Sequence, residues 1–135
     1  MVGNKVIGEI GRGFNILLGI FEDDEPGMIP KFAEKIVNLR VFQDENGKMN
    51  RSLLDINGEA LLVSQFTLCA DTRKGRRPSF VKAAPPEKAK PIYEDLKKEL
   101  ENYGVNVQTG EFGGYMDVFI HNDGPTTIVL DSGEI

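Results

Sequence analysis

The chain has 135 residues, 40% of them hydrophobic and 27% charged, with a formal net charge of −5. That length suits one domain with a real core and is short for two, and the balance of apolar and charged residues excludes a disordered chain or a fibrous repeat. A single cysteine and a single histidine exclude an internal disulfide and argue against a structural zinc site, so neither metal nor cofactor is expected.

No apolar run is long enough to cross a bilayer, and the opening MVGNKVIGEIG lacks the charged and apolar regions of a signal peptide. The expected setting is therefore cytoplasmic, with no membrane partner. Gly8, Gly11 and Gly13 mark a hairpin leading into a buried strand over residues 15–21. Ile29, Phe32, Ala33, Ile36 and Val37 follow three-and-four spacing, which predicts an amphipathic helix, with acids just upstream where the helix dipole favours them. A strand over 39–42 ends in the turn Asp44-Glu45-Asn46-Gly47. Asn57-Gly58, between SLLDI and EALLV, has the composition of a two-residue hairpin turn. The run 61–68 reads as a second buried strand.

A second helix is predicted over 86–103, with Ala89, Ile92, Tyr93, Leu96 and Leu100 on one face and Gly104 as its terminator. Pro91 lies inside it, where a proline removes a hydrogen bond, so the regular helix starts nearer Pro91 or its first turn is distorted. Strands over 105–108, 115–121 and 127–130 complete the chain. The sum is one α/β domain of two helices and about seven strands of mixed direction.

The usual hydrolase equipment is nearly absent. His121 sits beside a turn with no link to a nucleophile, and Cys69 at a strand end reads as a small buried hydrophobe. What stands out is polarity where a buried strand needs none: Ser64, Gln65 and Thr67 in LLVSQFTL. If the strand continues through them, Ser64, Phe66 and Leu68 share one side and Gln65, Thr67 and Cys69 the other. Such groups either bond to neighbouring backbone or form a pocket that holds an ester carbonyl and its oxyanion. Asn122-Asp123-Gly124-Pro125 is equally a plain turn or a rigid backbone element, and X-Pro is the bond most readily cis. The net acidity does not favour nucleic-acid binding over the whole surface. Yet Arg73, Lys74, Arg76, Arg77 and Lys82 form a basic corner beside SQFT, which as an isolated cluster would read as a solvated loop.

SQFTL and NDGPTT match, in order and spacing, the two signature motifs of the D-aminoacyl-tRNA deacylase family. GEIGRG followed by ILLGI, FQDENGKMN, the elements at Gly75, Arg77, Pro78, Ser79 and Phe80, and QTGEFG before Met116 extend the resemblance over nearly the whole chain. The resemblance implies a layered β/β/α fold whose mixed sheets form a barrel-like core with two helices. It implies a homodimeric hydrolase that cleaves the ester of D-aminoacyl-tRNA, and glycyl-tRNA mischarged on tRNA(Ala), as chiral proofreading. Carried over, Ser64, Gln65, Phe66 and Thr67 would line the catalytic pocket, with backbone N–H groups near Phe66 and Thr67 holding the oxyanion. A cis Gly124-Pro125, inserted from the partner subunit and flanked by Asn122 and Thr127, would act as the chiral filter. Pro78, Ser79, Phe80 and Met116 would shape the wall around the terminal adenosine or aminoacyl group. Family members begin with a further strand containing a Gln-Arg-Val element, so residues 1–135 are expected as a single domain without it. Two alternatives stand, a truncated start or a member that manages without the strand, and the second leaves open a catalytically silent relative that binds RNA or a nucleotide.

Overall fold

The computed structural model describes residues 1–135. Three parallel strands form its centre: β1 (Gly13–Leu18) pairs with β4 (Glu59–Ser64), which pairs with β5 (Val107–Thr109), in the order β1-β4-β5. A separate antiparallel pair joins β2 (Phe42–Gln43) to β3 (Met49–Arg51) across the Asp44–Gly47 turn, where Asp44 Oδ1 accepts from the N–H groups of Asn46 and Lys48. Two helices complete the domain, α1 (Ile29–Asn38) and α2 (Pro86–Asn102).

Both helices present the apolar faces that their spacing predicts. Ile29, Ala33, Ile36 and Val37 of α1 and Ala89, Ile92, Tyr93, Leu96 and Leu100 of α2 are buried, in one cluster with Ala60, Leu62 and Val107 of the sheet. Phe14, Ile16 and Leu18, alternating along β1, pack on the same cluster. The Tyr93 hydroxyl donates to the Leu62 carbonyl at 3.1 Å, tying α2 to the middle of β4. Helix α2 does begin at Pro86. Its first turn is tightened, because the Pro85 carbonyl accepts from both Lys88 N and Ala89 N, and Pro91 lies on the exposed side where the lost bond faces solvent. Gly104, at φ +86°, ends the helix by donating to the Glu101 carbonyl.

Several sequence expectations fail, each for a backbone reason. The three-stranded sheet is open and its second sheet has only two strands, so no barrel closes, and five strands stand in place of seven. Residues 52–55 form a self-capped turn in place of a hairpin strand. Ser52 N donates to Asp55 Oδ2 and Asp55 N to Ser52 Oγ, while Gly58 N returns to the Leu53 carbonyl. Those local bonds leave no edge for a ladder, and β4 pairs in parallel with β1 and β5 instead. The glycines before β1 make no hairpin. At Gly8 an added Cβ would lie 2.4 Å from the Thr109 carbonyl oxygen, so this segment runs tightly against the end of β5. Residues 115–121 and 127–130 are rich in aromatic and β-branched side chains but form no strand within the chain; their one backbone pairing is at Asp117, which exchanges two hydrogen bonds with Met1. Tyr115, Phe119 and Val129 are 94%, 76% and 84% exposed.

The sheet face away from the helices is unevenly covered, with Val63 buried. Leu17 is exposed, and Asn15 Oδ1 is buried without a hydrogen-bond partner. No helix is long and apolar enough to cross a membrane.

Candidate functional site

Strand β4 stops at Ser64. Gln65 N still donates to the Leu18 carbonyl at 2.8 Å, but its φ of −140° and ψ of 78° turn the chain, and Phe66–Cys69 forms a single 3-10 turn. The expected alternation of faces through residue 69 is therefore wrong. Phe66, Thr67 and Leu68 are all exposed, while Cys69 points into the fold. The reason lies in the neighbouring strand: β1 ends at Leu18, so beyond Gln65 there is no ladder to extend.

The turn is bonded from Leu68 N to the Gln65 carbonyl and from Ala70 N to the Thr67 carbonyl, each at 3.1 Å. A 3-10 turn that begins at Phe66 has no internal acceptor for the N–H groups of Phe66 and Thr67. These groups therefore stand at the carboxyl ends of two parallel strands, the edge where open α/β sheets bind ligands. Gln65 Nε2 donates to Thr67 Oγ1, which holds the threonine hydroxyl on the turn.

The turn is brought to Pro78–Phe80 by an aromatic pair. The Phe66 and Phe80 rings meet edge to face with centroids 5.1 Å apart. Ser79 exchanges two backbone hydrogen bonds with Asp71, at 2.8 and 2.9 Å, closing the neck of the basic loop. Arg73 binds both Asp71 carboxylate oxygens, at 2.9 and 2.7 Å, and this guanidinium holds the Asp71 carboxyl well below the usual carboxylate range. Burial pushes the Cys69 thiol up, with nearby Asp24 adding to the effect, so the cysteine is kept protonated and unreactive. No cluster of three His, Cys, Asp or Glu side chains could hold a metal ion.

The second motif is built separately. Asn122 closes the loop on both sides: Thr126 N donates to its Oδ1 at 2.9 Å, and its Nδ2 donates to Thr127 Oγ1 at 3.0 Å. The Gly124-Pro125 bond between them is cis, as expected from the sequence, and residues 122–125 are exposed. At Gly124, φ is +126° and an added Cβ would sit 2.6 Å from Thr126 Oγ1, so only glycine fits without strain. Met116 folds back on Gly110 and Glu111, its sulfur accepting from Glu111 N at 3.2 Å. No hydrogen bond joins Met116 or residues 122–127 to Ser64–Thr67. By their hydrogen bonds and ring contacts the predicted residues within one chain fall into a set around the 3-10 turn and a set in the Gly-Pro loop, with Met116 apart on Gly110 and Glu111.

Two positions escaped the sequence reading. At Gly19 an added Cβ would lie 2.9 Å from Leu68 Cβ, 3.2 Å from the Gln65 carbonyl oxygen and 3.3 Å from Cys69 Sγ. The turn packs directly on this glycine, and its only signal was a glycine interrupting the apolar run ILLGI. Asp71, the acid at the neck of the basic loop, was hidden among the cations that follow it. A surface depression of about 380 Å³, lined by Arg12, Asn57, Glu59 and Asn106 among others, lies at the opposite end of the strands and contains none of the predicted residues.

The sequence pattern of the D-Tyr-tRNA(Tyr) deacylase family matches residues 1–131. The D-aminoacyl-tRNA deacylase of Thermosipho africanus (strain TCF52B) is 55% identical over 134 residues, 99% of this chain and 90% of the relative. That of Sulfurihydrogenibium sp. (strain YO3AOP1) is 59% identical over the same shares. Among solved structures, c-Myc DNA Unwinding Element Binding Protein superposes with a TM-score of 0.89 at 42% identity, over 97% of this chain and 89% of that one. A structure titled as that of a probable eukaryotic D-amino acid tRNA deacylase shares the fold at a TM-score of 0.67 and 16% identity, over 78% of this chain and 77% of that chain.

Proposed function

The chain belongs to the D-Tyr-tRNA(Tyr) deacylase family, and on that premise we propose a mechanism in which the 3-10 turn after β4 hydrolyses the ester of D-aminoacyl-tRNA. The enzyme is an ester hydrolase that releases free D-amino acid and tRNA. The observation that carries the mechanism is the 3-10 turn that exposes Phe66, Thr67 and Leu68, with N–H groups available at its start and no histidine or ionised cysteine beside it.

The ester carbonyl sits with its oxygen toward the N–H groups of Phe66 and Thr67. Water attacks the carbonyl carbon, and the oxygen becomes an oxyanion held by those two donors, which are already oriented before the charge develops. The bond from carbon to the ribose oxygen then breaks. The neighbouring ribose hydroxyl of the terminal adenosine passes the proton from the attacking water to the departing oxygen, so no side-chain base is required. Gln65 fixes the Thr67 hydroxyl on the turn, where it orients the substrate; an unassisted threonine is a poor nucleophile. Pro78, Ser79 and Phe80, joined to the turn through the Phe66 ring, form the wall against the adenosine.

Discrimination between hands belongs to the Gly124-Pro125 loop and Met116 of a second copy. Asn122 clamps that loop from both ends, so it presents fixed backbone and excludes an L side chain by contact. Three features support a homodimer: no hydrogen bond joins the loop to the turn of its own chain, Tyr115, Phe119, Ile120, Ile128 and Val129 are apolar and exposed on either side of the loop, and Asn15 Oδ1 lacks a donor. Such an enzyme works in the cytoplasm, where charged tRNA is used.

The test is amino-acid release from D-Tyr-tRNA and L-Tyr-tRNA side by side, with glycyl-tRNA(Ala) as a third substrate and sedimentation to count subunits. Hydrolysis of the D-ester with the L-ester spared is the expected result. Equal rates on both hands would reject the chiral filter, and binding without turnover would favour a silent relative.

A further inference from the structure

The basic loop is more than a charged surface run. Between the paired residues Asp71 and Ser79, all seven residues 72–78 are exposed, and Gly75 at φ +70° turns the tip. Residues 66–83 hold five cations and one acid, a local excess of four positive charges in a chain whose net charge is −5. That one acid is already engaged: Asp71 binds Arg73 in bidentate fashion and has Lys82 at 3.9 Å. The chain's one other ion pair joins Arg51 to Glu45. Lys74, Arg76 and Arg77 therefore have no carboxylate within 4.0 Å, and they occupy three of four consecutive positions.

Placement gives this charge a direction. The loop springs from the Asp71–Ser79 bridge, next to Phe80, whose ring packs on Phe66 of the reactive turn. A seven-residue loop folded on itself reaches about 10 Å from its neck, the span of a few nucleotides. An ester held at the turn is attached to the last nucleotide of an RNA strand, so the preceding phosphates pass beside this loop.

Resting on the reading of the chain as a tRNA ester hydrolase, we infer that Lys74, Arg76 and Arg77 dock the phosphates of the RNA strand leading to the esterified end. The contact is independent of base sequence, because unpaired cations on an exposed loop read charge and spacing, not base edges. Asp71 acts as a positioning residue: by holding Arg73 back against the neck it sets the direction of the tip. The loop supplies affinity for the macromolecule and takes no part in the chemistry at the turn.

The experiment compares the wild type with K74A/R76A/R77A on two substrates, D-Tyr-tRNA and 3′-O-(D-tyrosyl)adenosine, across a salt series. The triple variant is expected to raise KM for D-Tyr-tRNA about tenfold or more and to flatten the slope of log kcat/KM against log salt by about 2 to 3. Its kcat, and its kinetics on the adenosine ester, should match the wild type, which also verifies folding. Replacing exposed Lys90 and Lys98 on α2 by alanine should leave the slope unchanged, and R76K/R77K should retain it. An unaltered KM and slope in the triple variant would overturn the inference and return the loop to a solvated run. Fluorescence anisotropy with uncharged tRNA separates this result from the function itself. Weakened tRNA binding in the triple variant supports the loop even if no D-ester is cleaved, whereas intact D-specific hydrolysis with unchanged tRNA binding rejects the loop alone.

Discussion

Gly19→Ala probes the link between the fold and the reactive turn. The added methyl would lie 2.9 Å from Leu68 Cβ, with the Gln65 carbonyl at 3.2 Å and the Cys69 sulfur at 3.3 Å. Carbon atoms in contact prefer about 3.5–4.0 Å, so the turn must move away from β1 by roughly 0.6–1 Å at Leu68. Gln65 is anchored to the Leu18 carbonyl, and the displacement therefore falls on Phe66–Cys69. Overpacking of this kind costs about 1–3 kcal/mol, or a fall in Tm of roughly 4 °C per kcal/mol for a chain of this size. The larger effect is on catalysis. A misplacement approaching 1 Å costs about 100-fold in rate, so kcat on D-Tyr-tRNA should fall by about 10- to 100-fold while KM for tRNA changes little, since the basic loop is untouched. Single-turnover rates with saturating enzyme, measured beside thermal unfolding, would read both. A variant that melts a few degrees lower yet keeps full kcat would show that the turn does not hold the reacting atoms.

Three further outcomes are expected. Thr67→Ala should keep kcat within about tenfold of wild type, because the oxyanion is held by backbone N–H groups; a loss of about a thousandfold or more would identify the hydroxyl as the nucleophile. Gly124→Ala, strained at φ +126° and crowded by Thr126 Oγ1, should lower activity or D-over-L selectivity well beyond its effect on Tm, since the loop lies outside the core cluster; a change confined to melting would contradict the chiral filter. For Asp71, the folded carboxyl titrates below its unfolded value because Arg73 stabilises the ionised form. Its contribution to order in the loop is thus complete above pH ~4 and is lost only as pH falls further, through the lowered folded value. A carboxyl-carbon NMR titration should place its midpoint below 3.8, the ordinary value, and Arg73→Ala should return it upward; an unmoved midpoint would break the assigned pair.

Periodicity and punctuation were enough for the local elements. Both helices could be read from apolar spacing, down to Ala89, Ile92, Tyr93, Leu96 and Leu100, because a helix closes its hydrogen bonds within itself and only its buried face depends on neighbours. The Asp44–Gly47 turn and the stop at Gly104 followed from residues with special backbone preferences. The motifs SQFT and NDGPTT, with the wall residues Pro78 to Phe80, named the candidate site because their composition does not suit a plain strand or turn.

Strand partners and geometry came only with the tertiary structure. A strand's hydrogen bonds go to residues far away in sequence, so nothing local announces that β4 pairs in parallel with β1 and β5 and not with residues 52–55. For the same reason residues 115–121 and 127–130 carry strand-like sequences without forming strands in this chain. The shape of the site depends on where a neighbour ends: β1 stops at Leu18, the chain after Gln65 has no ladder to follow, and it curls into the turn that exposes Phe66 and Thr67. Gly19 matters because of what packs on it, and Asp71 because of what it binds, which are contacts across the fold that composition alone does not encode.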